Sequence, residues 1–88
     1  MSNTRPPARA PYMATIAEEN EWLRETNEFY AAAAADFGFT HYVKGLRNGS
    51  AAAAIVWFVK EVGTDRTVEM FEDRIEALSA LDMIEAEA

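Results

Sequence analysis

The sequence predicts an α+β domain: an N-terminal amphipathic helix, a three-stranded antiparallel meander and a short C-terminal helix. Three observations predict it. A helical apolar period runs from residue 15 to residue 37, between a capping pair and a glycine. Beyond Gly38 the pattern changes to β-branched and aromatic runs divided by two turn signals. A second capping pattern at Asp73 then opens another helical period. The rival is an all-α three-helix domain, in which Ser50 caps a helix through residues 51–62 and Gly63 ends it.

Residues 1–12, MSNTRPPARAPY, read as a flexible tail, with residues 13–88 as the single folded domain. Pro6, Pro7 and Pro11 forbid a helix interior there, and no run of large apolar residues offsets the entropy of ordering. The tail lacks the apolar stretch of a signal peptide.

The first helix is expected over residues 15–37. Thr15 and Glu18 have capping-box spacing. At 100° per residue Trp22, Leu23, Phe29, Tyr30, Ala33 and Phe37 share one face, which is the face to bury. Ala31–Ala35 is a run of strong helix formers, and Gly38 suits the left-handed residue that ends a helix.

Phe39–Leu46 reads as the first strand. Asn48-Gly49 is a hairpin signal, because a type I′ turn needs positive φ at both central residues. It also accounts for Asn48-Gly49-Ser50 better than glycosylation does. Ile55–Val59 is a buried-strand run, and because Asn-Gly followed by four alanines also reads as a longer loop, the boundary at residues 51–54 is the least defined. Gly63-Thr64-Asp65 reads as the second turn, and Thr67–Glu72 as a third strand with Val68 and Met70 on one side. Asp73 and Glu76 then cap a last helix marked by Ile75, Ala77, Leu78, Leu81 and Ile84.

Composition narrows function. The chain has 88 residues, no cysteine and a formal net charge of −7. Setting aside Arg5 and Arg9 of the tail makes the remaining chain −9. Such a domain repels nucleic acid and anionic membranes and favours basic partners. The longest strongly apolar run, residues 51–59, is far too short to span a bilayer. The absence of cysteine suits a reducing compartment, so a cytoplasmic location is expected.

No catalytic constellation is legible. His41 is the lone histidine, and one histidine cannot make the usual multi-histidine metal site. Ser2, Ser50 and Ser79 lie outside any nucleophile elbow, and Gly45, Gly49 and Gly63 form no phosphate loop. Glu69, Glu72 and Asp73 lack the pattern of a calcium loop. The expectation is a protein without enzymatic activity, cofactor or metal.

Two features point to a partner instead. Glu18, Glu21, Glu25 and Glu28 recur at i, i+3, i+7 and i+10, placing a carboxylate every ~5–6 Å along one helix face. That spacing is close to the repeat of phosphates along a nucleic-acid strand, as a nucleic-acid mimic requires. The second is Ile55–Val59: Ile55, Trp57 and Val59 point one way, Val56 and Phe58 the other. One face packs on helices, and the other is covered or becomes an interface. Tyr42, Trp57 and Phe58 are the candidate anchors. The function expected is a small acidic protein that binds a basic protein or complex. A phage-type inhibitor of nucleic-acid-handling machinery, of the anti-CRISPR or nucleic-acid-mimic kind, has this character. The alternative is a homo-oligomeric structural or assembly protein, with a homodimer formed through the second sheet face.

Overall fold

A computed structural model describes residues 15–47 and 54–87. It has the expected α+β order: α1 (Ile16–Phe37), β1 (His41–Arg47), β2 (Ile55–Glu61), β3 (Thr67–Phe71) and α2 (Arg74–Glu87). The strands form one antiparallel sheet in the order β1-β2-β3. The all-helical rival fails at β2, where β-branched and aromatic side chains outweigh the preceding alanines. The tail assigned to residues 1–12 lies outside the described residues.

Local chemistry sets the helix ends. Thr15 is extended, and its Oγ1 accepts the amide of Glu18 at 3.1 Å. Gly38 sits at φ 68°, a left-handed conformation that glycine adopts without strain. Its turn lets the Phe39 amide reach the Ala34 carbonyl at 2.9 Å, satisfying an otherwise orphaned acceptor. At α2 the Asp73 carboxylate accepts the amide of Ile75 at 3.4 Å.

The core lies on one face of the sheet. Val43 and Val59 are cross-strand partners and fully buried. Trp22 and Leu23 of α1, Trp57 of β2, and Ala77 and Leu81 of α2 close around them. Trp22 meets Trp57 edge to face, with ring centroids 6.1 Å apart. Gly45 is opposite Trp57 in the register. A Cβ at Gly45 would lie 2.6 Å from Trp57 Cζ3 and 2.8 Å from Leu23 Cδ1, so any larger residue would displace the indole.

Helix α1 runs along the free edge of β1. The Asn27 side-chain amide donates to the Gly45 carbonyl at 2.8 Å, and its Oδ1 accepts the Gly45 amide at 2.8 Å. One side chain thus supplies the donor and the acceptor that a fourth strand would have offered. Arg47, at the end of β1, pairs with Glu19 and donates to Asn20 Oδ1 at 3.2 Å, tying the strand to the first turns of α1. Arg74 at the start of α2 lies over the Trp22 ring, 5.6 Å from its centroid.

Three expectations are revised or resolved. Phe37 is 73% exposed rather than buried, and stacks on Phe39 with centroids 5.7 Å apart. Its place in the buried stripe goes to Thr26 and Ala34. A helix of 22 residues is roughly 33 Å long, whereas a seven-residue strand spans roughly 23 Å, so the last turn of α1 overshoots the sheet. Second, of the tight Asn48-Gly49 turn and the longer loop that the following alanines allow, the register takes the longer, since Arg47 pairs with Ile55. The turn expected at Asn48-Gly49 lies outside the described residues. Third, β3 does not alternate regularly: Lys60 pairs with Thr67 and Val59 with Glu69, a bulge that leaves Val68 unpaired.

Candidate interaction surface

The register divides the strand residues between two faces. His41, Val43, Gly45, Arg47, Ile55, Trp57 and Val59 face the helices. Tyr42, Lys44, Leu46, Val56, Phe58 and Lys60 face away, joined from β3 by Met70 opposite Phe58. Among the described residues neither helix covers this outward face. Leu46 is 40% and Met70 63% exposed, and Val56 and Phe58 are only half-buried. Leu46 pairs with Val56, and Phe58 lies between Lys44 and Met70. The result is an apolar stripe across three strands, bordered by two lysines.

The three candidate anchors separate. Phe58 lies at the centre of the open face. Tyr42 lies at its rim, where its hydroxyl donates to Asp65 Oδ1 at 2.6 Å. Burial, then the Asp65 carboxylate, raises the Tyr42 phenol to about 12. Trp57 belongs to the core, 5% exposed, and presents no surface to a partner. Lys60 reaches over the Phe58 ring, 5.8 Å from its centroid, and donates to the Asp65 carbonyl at 3.2 Å. A groove of about 440 Å³ continues from the rim toward α1, lined by Ala31, Ala35, Tyr42, Lys44 and Asp65.

Glu18, Glu21, Glu25 and Glu28 are all exposed on α1. They are not an uninterrupted row. Arg24 lies between them, pairing with Glu21 and, at 2.7 Å, with Glu28. The hydrogen bond from Arg24 holds the Glu21 carboxyl below its usual range. The spacing of the carboxylates is as expected, but a cation that the expectation left out divides them.

The nearest approach to a catalytic grouping is at the start of β1. Thr40 Oγ1 lies 2.8 Å from His41 Nδ1 and 3.0 Å from Glu85 Oε1, with His41 Nδ1 3.9 Å from the same carboxylate oxygen. A relay needs the hydroxyl on one ring nitrogen and the carboxylate on the other. Here both face Nδ1. Glu85 Oε1 also accepts the amides of Thr40 at 2.9 Å and His41 at 2.8 Å. Its work is to satisfy the strand entrance from α2, with His41 as a neighbour. Among the described residues no three His, Asp or Glu side chains gather to hold a metal ion. No described helix is long and apolar enough to cross a membrane.

A second cleft, of about 530 Å³, lies where Glu19, Trp22, Arg47, Glu72 and Arg74 converge. Its arginines are engaged by Glu19 and by the Trp22 ring.

Lys44, Lys60, Leu46 and Met70 belong to the surface without having been expected there. A signal for them existed. Gly45 is the one small residue in β1 and Trp57 the largest in β2, and pairing them fixes both register and parity.

No protein-family model matches the chain, and neither a curated protein nor a solved structure is similar to it.

Proposed function

We propose that this chain is a non-enzymatic binding protein that engages a macromolecular partner through the open face of its sheet. One observation carries the proposal: both helices pack on one side, leaving Leu46, Val56, Phe58 and Met70 as a contiguous apolar stripe with no described element over it. A stripe of this kind, rimmed by polar groups, is what an interface presents before its partner arrives. The narrower class, an inhibitor that mimics nucleic acid, draws on the α1 carboxylates, and Arg24 weakens that resemblance. A homo-oligomer would use the same sheet face, but would bring the Lys44 and Lys60 of two copies into one interface.

The test compares two neighbouring residues of β2. Phe58→Glu should keep the melting temperature within a few degrees and alter complex formation or sedimentation. Trp57→Lys should unfold the protein, because it buries a charge in the core. If Phe58→Glu unfolds the chain as deeply as Trp57→Lys, the outward face is itself covered core and the proposal is lost.

A further inference from the structure

The open face differs in charge from the rest of the molecule. Its paired strand positions are Tyr42, Lys44, Leu46, Val56, Phe58, Lys60, Thr67 and Met70, which include two lysines and no carboxylate. Neither lysine makes an ion pair among the described residues. Of the two carboxylates that line the groove beside Tyr42 and Lys44, Glu28 is paired with Arg24, and Asp65 accepts the Tyr42 hydroxyl while its carbonyl accepts Lys60 Nζ. In a chain of net charge −7, this described sheet face presents positive charge to an anionic group.

The opposite face shows what such a sheet accepts. There α2 packs against all three strands. It carries Glu76, Asp82, Glu85 and Glu87 against a single Arg74, and buries Ala77 and Leu81. An acidic helix is therefore already a cover for this sheet, and Glu85 shows its carboxylate holding the entrance of β1 by hydrogen bonds. A second helix on the open face would complete an α/β/α layering and bury the stripe that two layers leave in water.

From this, resting on the binding function proposed above, we infer that the open face receives an acidic amphipathic α-helix of a partner protein. Its apolar side lies over Leu46, Val56, Phe58 and Met70, and its carboxylates meet Lys44 and Lys60. Nucleic acid would also find aromatic rings and lysines here, but the acidic remainder of the domain repels a polyanion over every other approach. A helix carrying a few carboxylates on one flank meets far less of that field.

The experiment uses the full chain and a synthetic helical peptide of about 18 residues (~27 Å), with leucine along one face and glutamate on the flanks. The comparators are the same peptide with lysine for glutamate, and oligothymidine. Binding is read from NMR shifts of Leu46, Val56, Phe58 and Met70. The glutamate peptide should shift these resonances and bind at least about tenfold more tightly than the lysine peptide, and that preference should invert in the double variant Lys44→Glu/Lys60→Glu. Equal binding of the two peptides, or a preference indifferent to the double variant, overturns the inference. So does tighter binding of oligothymidine at the same residues. A dimer that occupies the face and dissociates in Phe58→Glu overturns the acidic helix but keeps the binding function. A monomer whose open face responds to none of these probes overturns the inference, and if Phe58→Glu also leaves complex formation unchanged, the binding function falls with it.

Discussion

Thr26 shows how much one atom can decide. It is fully buried on α1, and its Oγ1 has no hydrogen-bond partner among the described residues. A buried hydroxyl left unsatisfied costs about 1–3 kcal/mol, whereas valine has nearly the same shape without the polar atom. Thr26→Val should therefore stabilise the fold by about 1 kcal/mol, measured by denaturant unfolding; a loss of stability would show that the hydroxyl does find a partner. Tyr42 makes a second prediction. Its phenol is raised to about 12 by burial and then by Asp65. A raised folded pKa favours the neutral form, so the contribution is whole below the unfolded value near ~10. It is lost as pH climbs through about 12. Asp65 has φ 59°, a left-handed conformation that asparagine tolerates. Asp65→Asn should lower the Tyr42 midpoint without restoring it fully, because burial remains. An ultraviolet titration of wild type and variant reads this directly, and an unmoved midpoint would remove Asp65 as a cause.

At the scale of the element, the two sheet edges are treated differently. The β1 edge is closed by side chains: Asn27 on Gly45, and Glu85 on Thr40 and His41. The β3 edge relies on its own sequence, being five residues long, bulged at Val68 and bearing Glu69. Those are the usual devices against edge-to-edge pairing. Asn27→Leu should then cost about 2–4 kcal/mol, since it leaves the Gly45 amide and carbonyl without partners. Faster hydrogen exchange at Gly45 than elsewhere in β1 should accompany it. A variant of wild-type stability would mean that water replaces the amide without loss. The helix ends, by contrast, were legible in advance. Thr15 and Gly38 act on groups within four residues of themselves, so spacing alone identifies them. The β1–β2 connection was legible only as two alternatives: Asn48-Gly49 suggested a tight turn and the alanines after it a longer loop, and the register pairs Arg47 with Ile55 because Gly45 must lie under Trp57.

The whole molecule carries two surfaces of opposite character. One is the exposed face of α1 with four glutamates and Arg24 among them; the other is the open sheet face with Lys44 and Lys60. Replacing Glu18, Glu21, Glu25 and Glu28 together by glutamine removes two exposed ion pairs along with the repulsion between neighbouring carboxylates. Both effects are small in solvent. The melting temperature should stay within a few degrees. If a basic partner uses this face, its association rate should fall and lose its salt dependence. Unchanged rates at low salt would leave the open sheet face as the surface that matters.

What the sequence determined by itself was local: the order and type of the five elements, the caps at Thr15, Gly38 and Asp73, the excess of negative charge and the alternation in β2. Each follows from chain neighbours a few residues apart, where backbone sterics and capping bonds act. Which side of each alternation is inside depended on packing between distant segments. Trp57 and Phe58 are adjacent and both aromatic, and period two places them on opposite faces without naming either as core. The choice falls to Trp57 because Trp22 and Leu23 of α1 and Gly45 of β1 close around it, and these lie far from it along the chain. The same choice turns Phe58 outward, with Lys44, Lys60 and Met70 around it, since reversing the parity of one strand would carry every side chain it bears to the other face.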